Sequence, residues 1–388
     1  MAKFQGVDYY DIDSLLTEEQ RMIRDTVREW VDDNLLPVIN EAYIGRYLPK
    51  QLVPGMAELG MFGANLPEEY GCAGLDNVSY GLIMQELERG DSGIRSFASV
   101  QGALCMYPIY AFGSEEQKRE YLPRMATGEV IGCFGLTEPD FGSNPGGMVT
   151  RARKTDDGWV LNGAKMWITN GSTANIAIIW AKTGELDDTK SIRGFIVPTD
   201  TPGYVVARLE DKVGQHSSDT AQINFDDCRI PAENLIGEEG EGYRIALSAL
   251  EGGRIGIAAQ SVGMARSAFD VAVAYAKERQ SFGTAIFNHQ AVGFRLADCA
   301  TELEAARQLI WHAASLRDAG LPCLKEAAMA KLFASEMAER VCSAAIQTLG
   351  GYGYVNDFPV ERIWRDVRVC QIYEGTSDVQ KIIIQRGL

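Results

Sequence analysis

The chain has 388 residues, 46% hydrophobic and 23% charged, enough apolar material for large cores and enough length for two or three domains. Lys and Arg number 37 against 53 Asp and Glu, a net charge of -16, which argues against nucleic acid and anionic membrane as main partners because both recruit basic patches. No apolar run is long enough to span a bilayer, and the opening MAKFQGVDYYDIDS is too acidic for a signal or transit peptide, so a cytoplasmic protein without membrane insertion is expected.

The first third reads as helices. Thr17 and Gln20 have the spacing of a reciprocal cap, and Ile23, Val27, Trp30, Val31 and Leu35 then mark one apolar face that Pro37 is expected to end. VSYGLIMQELERG and GSEEQKREYLPRMA suggest further helices, separated by loops such as LPEEYGCAGL. From about Val130 the texture changes. GWVLNGAKMWIT, NIAIIWAKT, SIRGFIVPTD, GYVVARLED and TAQINFDDCRI are short, rich in β-branched and aromatic residues, and read as strands of a small antiparallel barrel or sandwich. After GEEGEGYRIAL, long amphipathic helices return to the end. The expected class is α+β: a helical domain over 1–130, a β domain over 131–238 and a helical domain over 239–388. The eight cysteines form no C-x-x-C pair, so neither a metal site nor a disulfide framework is expected.

Near the C-terminus, Ile363, Trp364, Val367, Cys370 and Tyr373 follow helical spacing, and Ser377 with Gln380 suggests the cap of a further helix. Glu374 and Gly375 fall at the junction. A carboxylate there is either a solvated helix end or a group aimed into a pocket.

Seven motifs, in order, decide between these: LPEEYG (66–71), GCFGLTEPDFGSN (132–144), LNGAKMWITN (161–170), FDDCRIPAENLIGEEGEGY (225–243), ERQSFG (278–283), QTLGGYGY (347–354) and IYEGTSDVQ (372–380). Together they resemble the flavin-dependent acyl-CoA dehydrogenases over nearly the whole chain. The resemblance implies a helical N-terminal domain, a middle β-barrel or sandwich, a C-terminal four-helix bundle, bound FAD, an acyl-CoA substrate, electron-transfer flavoprotein as acceptor and a homotetramer. It also implies α,β-dehydrogenation of the thioester. That chemistry needs a positioned base and donors for the charge that develops on the thioester oxygen.

By resemblance Glu374 is the base, with Gly375 leaving room for the thioester. A subset of the family carries its base at the position that is Gly253 here. Glu251 and Arg254 match substrate contacts. Trp167, Thr169 and Thr376 match flavin contacts, Thr137 and Ser143 match residues that hydrogen-bond the flavin ring and the pyrophosphate, and Arg279, Phe282, Gln290, Gln347 and Gly351 match FAD contacts, with Arg279 reaching the pyrophosphate of a neighbouring subunit. Asn144 and His216 depart from the family pattern, where Asp and Arg are usual; His216 reads as a structural hydrogen-bonder.

Residues 71–150 resemble the glutaryl-CoA dehydrogenase branch, in which Arg95 matches the arginine that binds the distal carboxylate. Glu88 and Ser96 match its companions, Glu88 being its expected partner in the empty site, and Tyr373 matches the tyrosine before the base. Ile94 departs from that branch, and the second half, including LEGGRIGIAAQ, resembles the short-chain branch. A dicarboxylyl-CoA such as glutaryl-CoA, with or without decarboxylation to crotonyl-CoA, is therefore expected. The alternatives are a short or branched monocarboxylyl-CoA, or a longer or substituted dicarboxylyl-CoA oxidised without decarboxylation.

Overall fold

The structure, a computed structural model, describes residues 12–388, and of Ile12, Glu251 and Gly252 the backbone alone. Helix α1 (Glu18–Trp30) opens on the reciprocal cap: the Gln20 N–H donates to Thr17 Oγ1 at 3.2 Å and the Thr17 N–H to Gln20 Oε1 at 3.0 Å. Pro37 does not end this helical run. The chain widens into a π-helical turn over Val31–Leu35 and continues as α2 (Leu36–Gly45), with Pro37 in the first turn, where a missing N–H forfeits no helical bond. Helices α3 (Val53–Glu58), α4 (Asn77–Gly90), α5 (Ser92–Ser99), α6 (Tyr107–Phe112) and α7 (Glu115–Ala126) complete the first part.

The middle part carries β1 (Gly132–Gly135), β2 (Arg151–Lys154), β3 (Gly158–Thr169), β4 (Ile176–Lys182), β5 (Ile192–Pro198), β6 (Tyr204–Leu209), β7 (Thr220–Pro231) and β8 (Leu235–Ile236). They form one mixed sheet in the order β6-β7-β3-β2-β4-β5-β8, with β1 beside β4. Most pairs are antiparallel as expected, but β1 and β2 each run parallel to β4. Those two strands escaped the sequence reading because four residues carry almost no periodicity. Every residue of β4 is buried, and its apolar run IAIIWA follows from having both faces covered. One face packs Ile178 and Trp180 into the core of the N-terminal helices; the other packs Ala177 and Ile179 with Phe195 and Ile223.

The C-terminal part is built on α8 (Gly242–Glu278), α9 (Gln290–Asp318) and α10 (Leu324–Leu349), with a short hairpin of β9 (Gln280–Ser281) and β10 (Thr284–Ala285) between the first two. Buried alanines on α8 and α10, among them Ala265, Ala268, Ala334 and Ala338, keep these helices close. Helix α11 (Val360–Val367) and the short α12 (Ser377–Arg386) lie against α10. Helix α11 gives way to a 3-10 turn over Arg368–Gln371, so the helical spacing expected to run to Tyr373 breaks early, and Trp364 is 42% exposed instead of facing the core. Because α8 also packs on α4, it is a surface on which the first and last parts of the chain meet.

Candidate active site

Glu374 stands at the corner between the 3-10 turn and α12, with a left-handed backbone, φ +54°. A non-glycine residue stays in that region only when its surroundings hold it there. Here they do so from behind. Lys331, buried on α10, donates Nζ to the Gly375 carbonyl at 2.8 Å, and Gln380 donates Nε2 to the same carbonyl at 2.8 Å and to the Glu374 carbonyl at 3.3 Å. With the Gln380 amide committed to the corner, the cap of α12 is Thr376, one residue earlier than expected, whose Oγ1 accepts from the Val379 N–H at 3.3 Å.

The Glu374 side chain turns toward α8. A β-carbon on Gly253 would lie 2.6 Å from Glu374 Oε2, so the carboxylate occupies the space in front of the family's alternative base position. Oε2 is buried and accepts no hydrogen bond among the described residues. Burial pushes the carboxyl up to about 7, against the pull of Arg254, Arg95 and Lys331. The side chain of Glu251 lies outside the described residues.

Asp91 caps α5, accepting from the Gly93 and Ile94 N–H groups at 2.9 and 3.0 Å, and is itself held by Ser217 and Arg362. This corner places Arg95 in the interior, 2% exposed. Its Nη1 donates to Gln260 Oε1 at 2.9 Å, and its Nη2 lies against Gly256, where a β-carbon would be 3.2 Å away. Nε is buried without an acceptor among the described residues. Glu88 is not in ion-pair contact with it: among the described residues both Glu88 oxygens are buried without a hydrogen bond. Burial pushes the Glu88 carboxyl well above the usual carboxylate range, although Arg95 and Ser92 pull it down, so the neutral acid is favoured over a contact pair.

Around Arg95 a neutral network joins all three parts of the chain. Gln260 of α8 accepts from Tyr373 Oη as well as Arg95, and donates Nε2 to Ser92 Oγ at 2.9 Å. Gln215, from the loop before β7, donates Nε2 to Ser92 Oγ at 2.8 Å and to Tyr373 Oη at 3.3 Å, while Ser96 Oγ reaches Gln215 Oε1 at 3.5 Å. The neighbouring His216 stacks on Tyr43 with ring centroids 4.6 Å apart, and its Nε2 meets the Lys212 carbonyl at 2.9 Å, a structural role. An apolar cavity of about 140 Å³, lined by Tyr80, Met84, Ala259, Val262 and Trp311, also borders Gly256.

The sheet supplies a second wall. A bulge in β3 between Lys165 and Ile168 gives Trp167 a φ of +63° and turns its indole outward, 56% exposed. Buried Lys165 donates to Glu138 Oε1 at 2.7 Å and to the Leu136 carbonyl at 3.2 Å, and the Met166 N–H donates to the Thr137 carbonyl at 2.9 Å. These bonds fasten the Thr137 loop beside the strand carrying Trp167 and Thr169. Ser143 and Asn144 are exposed beyond that loop.

The remaining expected cofactor residues are not brought to this place. Arg279 caps the far end of α8, about 39 Å along the helix axis from Gly253 at 1.5 Å per residue. Phe282 sits near it, 96% exposed, and Gln290, Gln347 and Gly351 are exposed as well.

Gln260, Gln215, Lys331 and Lys165 were missed in the sequence. Only Gln260 carried a signal there: with Gly253 and Gly256 it forms one stripe at helical spacing, a polar residue ending a row of glycines.

Models of the acyl-CoA dehydrogenase N-terminal, middle and C-terminal domains match residues 17–129, 133–228 and 240–388. The chain belongs to the acyl-CoA dehydrogenase family. It is 44% identical over 369 residues to the short-chain specific acyl-CoA dehydrogenase, mitochondrial, of Rattus norvegicus, covering 95% of this chain and 90% of that protein. A glutaryl-CoA dehydrogenase from Mycobacterium smegmatis in complex with FADH2 matches with a TM-score of 0.93 at 41% identity, covering 97% of this chain and 96% of that one. Butyryl-CoA dehydrogenase from Megasphaera elsdenii matches with a TM-score of 0.93 at 40% identity, covering 98% and 99%.

As a member of this family the chain is an FAD-dependent oxidoreductase that acts on a CH–CH bond of an acyl-CoA. The geometry of this acyl-CoA dehydrogenase fits that cofactor: an uncovered indole face at Trp167, with the Thr169 and Thr137 hydroxyl residues held beside it, meets the requirements of a flat, hydrogen-bonding isoalloxazine. Among the described residues, no helix is long and apolar enough to cross a membrane.

Proposed function

We propose that this acyl-CoA dehydrogenase oxidises a dicarboxylyl-CoA of about glutaryl length. The observation that carries the reading is Arg95: a buried guanidinium in an acyl pocket, bonded to a neutral amide, with Nε unsatisfied and no carboxylate in contact among the described residues. An uncompensated buried charge is costly, and a ligand carboxylate would complete its bonding. The length follows from the helix. Glu374 faces Gly253 and Arg95 faces Gly256, a rise of about 4.5 Å along α8. That is close to the reach from the α-carbon to the distal carboxylate of a five-carbon diacid.

Glu374 removes the α-proton. A carboxyl titrating near 7 is a stronger base than an ordinary one and is still largely ionised in mildly alkaline solution. Arg254, Arg95 and Lys331 lay a positive field over the site, and the Glu374 N–H, which no backbone carbonyl accepts among the described residues, is available to the thioester oxygen. FAD, when bound, accepts the β-hydride. On this reading Trp167, Thr169, Thr137, Ser143 and Thr376 hold it at the ring end. Arg279, Phe282, Gln290, Gln347 and Gly351 serve a cofactor of a neighbouring copy, since α8 carries Arg279 too far from Glu374 of its own chain. That arrangement makes the protein an oligomer, a homotetramer in our reading, passing electrons to an electron-transfer flavoprotein in the cytoplasm. Loss of carbon dioxide from the dicarboxylyl product is the further step to assay.

The cavity beside Gly256 favours a second reading, a monocarboxylyl-CoA whose hydrocarbon tail enters that space. Anaerobic bleaching of the flavin by glutaryl-CoA, a longer dicarboxylyl-CoA and butyryl-CoA at equal concentration separates the two. Faster bleaching by butyryl-CoA overturns the dicarboxylyl reading.

A further inference from the structure

We infer that Gln260 is a positioning residue that sets the choice between a carboxylate and a methyl group at the far end of the acyl chain, by fixing the pose of Arg95 without neutralising it. The inference rests on the dicarboxylyl reading above. Arg95 has donors only, so the Gln260 oxygen must face it, and the same oxygen accepts from Tyr373. The amide nitrogen then points at Ser92 Oγ, which a second amide, Gln215, also reaches. Gln260 is fully buried and has no alternative orientation that keeps these bonds.

The chemistry of the side chain matters as much as its place. A carboxamide satisfies one guanidinium N–H and leaves the positive charge whole, whereas a carboxylate at the same position would form a contact pair and remove the reason for an anionic ligand to bind. Glu88, the other acidic candidate, is disfavoured as an anion by its burial. The stripe Gly253, Gly256, Gln260 therefore orders the pocket along α8: Gly253 faces the base, Gly256 faces the anchor, and Gln260 clamps the anchor.

The test uses the FAD-loaded enzyme and Gln260→Glu, Gln260→Leu and Arg95→Leu, each read by flavin bleaching and steady-state KM and kcat with glutaryl-CoA and butyryl-CoA. The glutaryl-to-butyryl ratio of kcat/KM should fall at least tenfold in both Gln260 variants, mainly through KM for glutaryl-CoA. Flavin absorbance and the butyryl-CoA reaction in the same samples report folding, and the isosteric Glu variant serves if Leu destabilises the chain. A ratio within threefold of wild type in both variants, or an equal loss with both substrates, overturns the inference. If Arg95→Leu alone abolishes the preference, the dicarboxylyl reading stands and the role of Gln260 falls; if wild type prefers butyryl-CoA, both fall.

Discussion

The two ends of the proposed acyl pocket are built on opposite principles. At the Glu374 end the backbone is held at φ +54° from behind by Lys331 and Gln380, while the carboxylate keeps an oxygen free. At the Arg95 end the backbone is ordinary helix and the side chain is tied forward to Gln260. On the proposed roles, the group that exchanges a proton is positioned through its main chain, with Oε2 left without a hydrogen bond among the described residues, and the group that recognises charge is positioned through its side chain. The contrast follows from what each does, since a hydrogen bond to the carboxylate would lower the basicity that proton abstraction needs.

The strongest way to break the comparison is Glu374→Gln. Flavin reduction should slow about 10²- to 10⁴-fold, the range lost with a general base, while the protein keeps its flavin spectrum. A stopped-flow trace at near wild-type rate would remove Glu374 from the chemistry. Next in size, Arg95→Leu should lower kcat/KM for glutaryl-CoA about 10²-fold, as loss of a buried carboxylate anchor does, with a smaller change for butyryl-CoA. Equal losses would make Arg95 structural.

A pH profile sharpens the Glu374 side. Because its carboxyl titrates at about 7, kcat/KM should fall about tenfold per unit below that value for either substrate. A profile flat to pH 5 would place the base elsewhere. Lys331→Met removes the bond to the Gly375 carbonyl together with one positive charge near the carboxylate; kcat should fall about tenfold, the scale of one charge-assisted hydrogen bond. Unchanged kcat would show that Gln380 alone holds the corner.

The smallest effect concerns stability. Glu374 titrates higher in the folded chain than its ordinary 4.5, so the folded state binds more protons between 4.5 and 7 and stability declines as pH rises through that window. Glu374→Gln removes this penalty. Its Tm should exceed wild type by about 4 °C at pH 8, the shift expected from roughly 3 kcal/mol in a chain of this length, and match it at pH 4.5.

Much of the architecture was legible. The cap at Thr17, the run Gly158–Thr169 and the corner at Glu374 each rest on local chemistry, a hydroxyl spaced for an N–H, β-branched residues in series, a glycine after a helix. A local rule failed at Pro37, where the helical run continues through a π-helical turn into α2 with the proline in its first turn. The family resemblance pointed to Arg95 but paired it with Glu88. Burial decided otherwise, because the penalty on a second charge depends on how deeply both groups are enclosed.

What the sequence by itself determined was the order of α, β and α parts, the family, and the residue types gathered for a flavin and a thioester. These depend on neighbours in the chain and on motifs read in order. Only the tertiary structure decided that the Gln260 amide meets the Arg95 guanidinium, that Gly253 clears space for Glu374, and that Lys331 holds the corner. Each of those contacts joins residues scores of positions apart, and pairings of that kind are set by how α8 packs against α4 and α10, not by any local pattern.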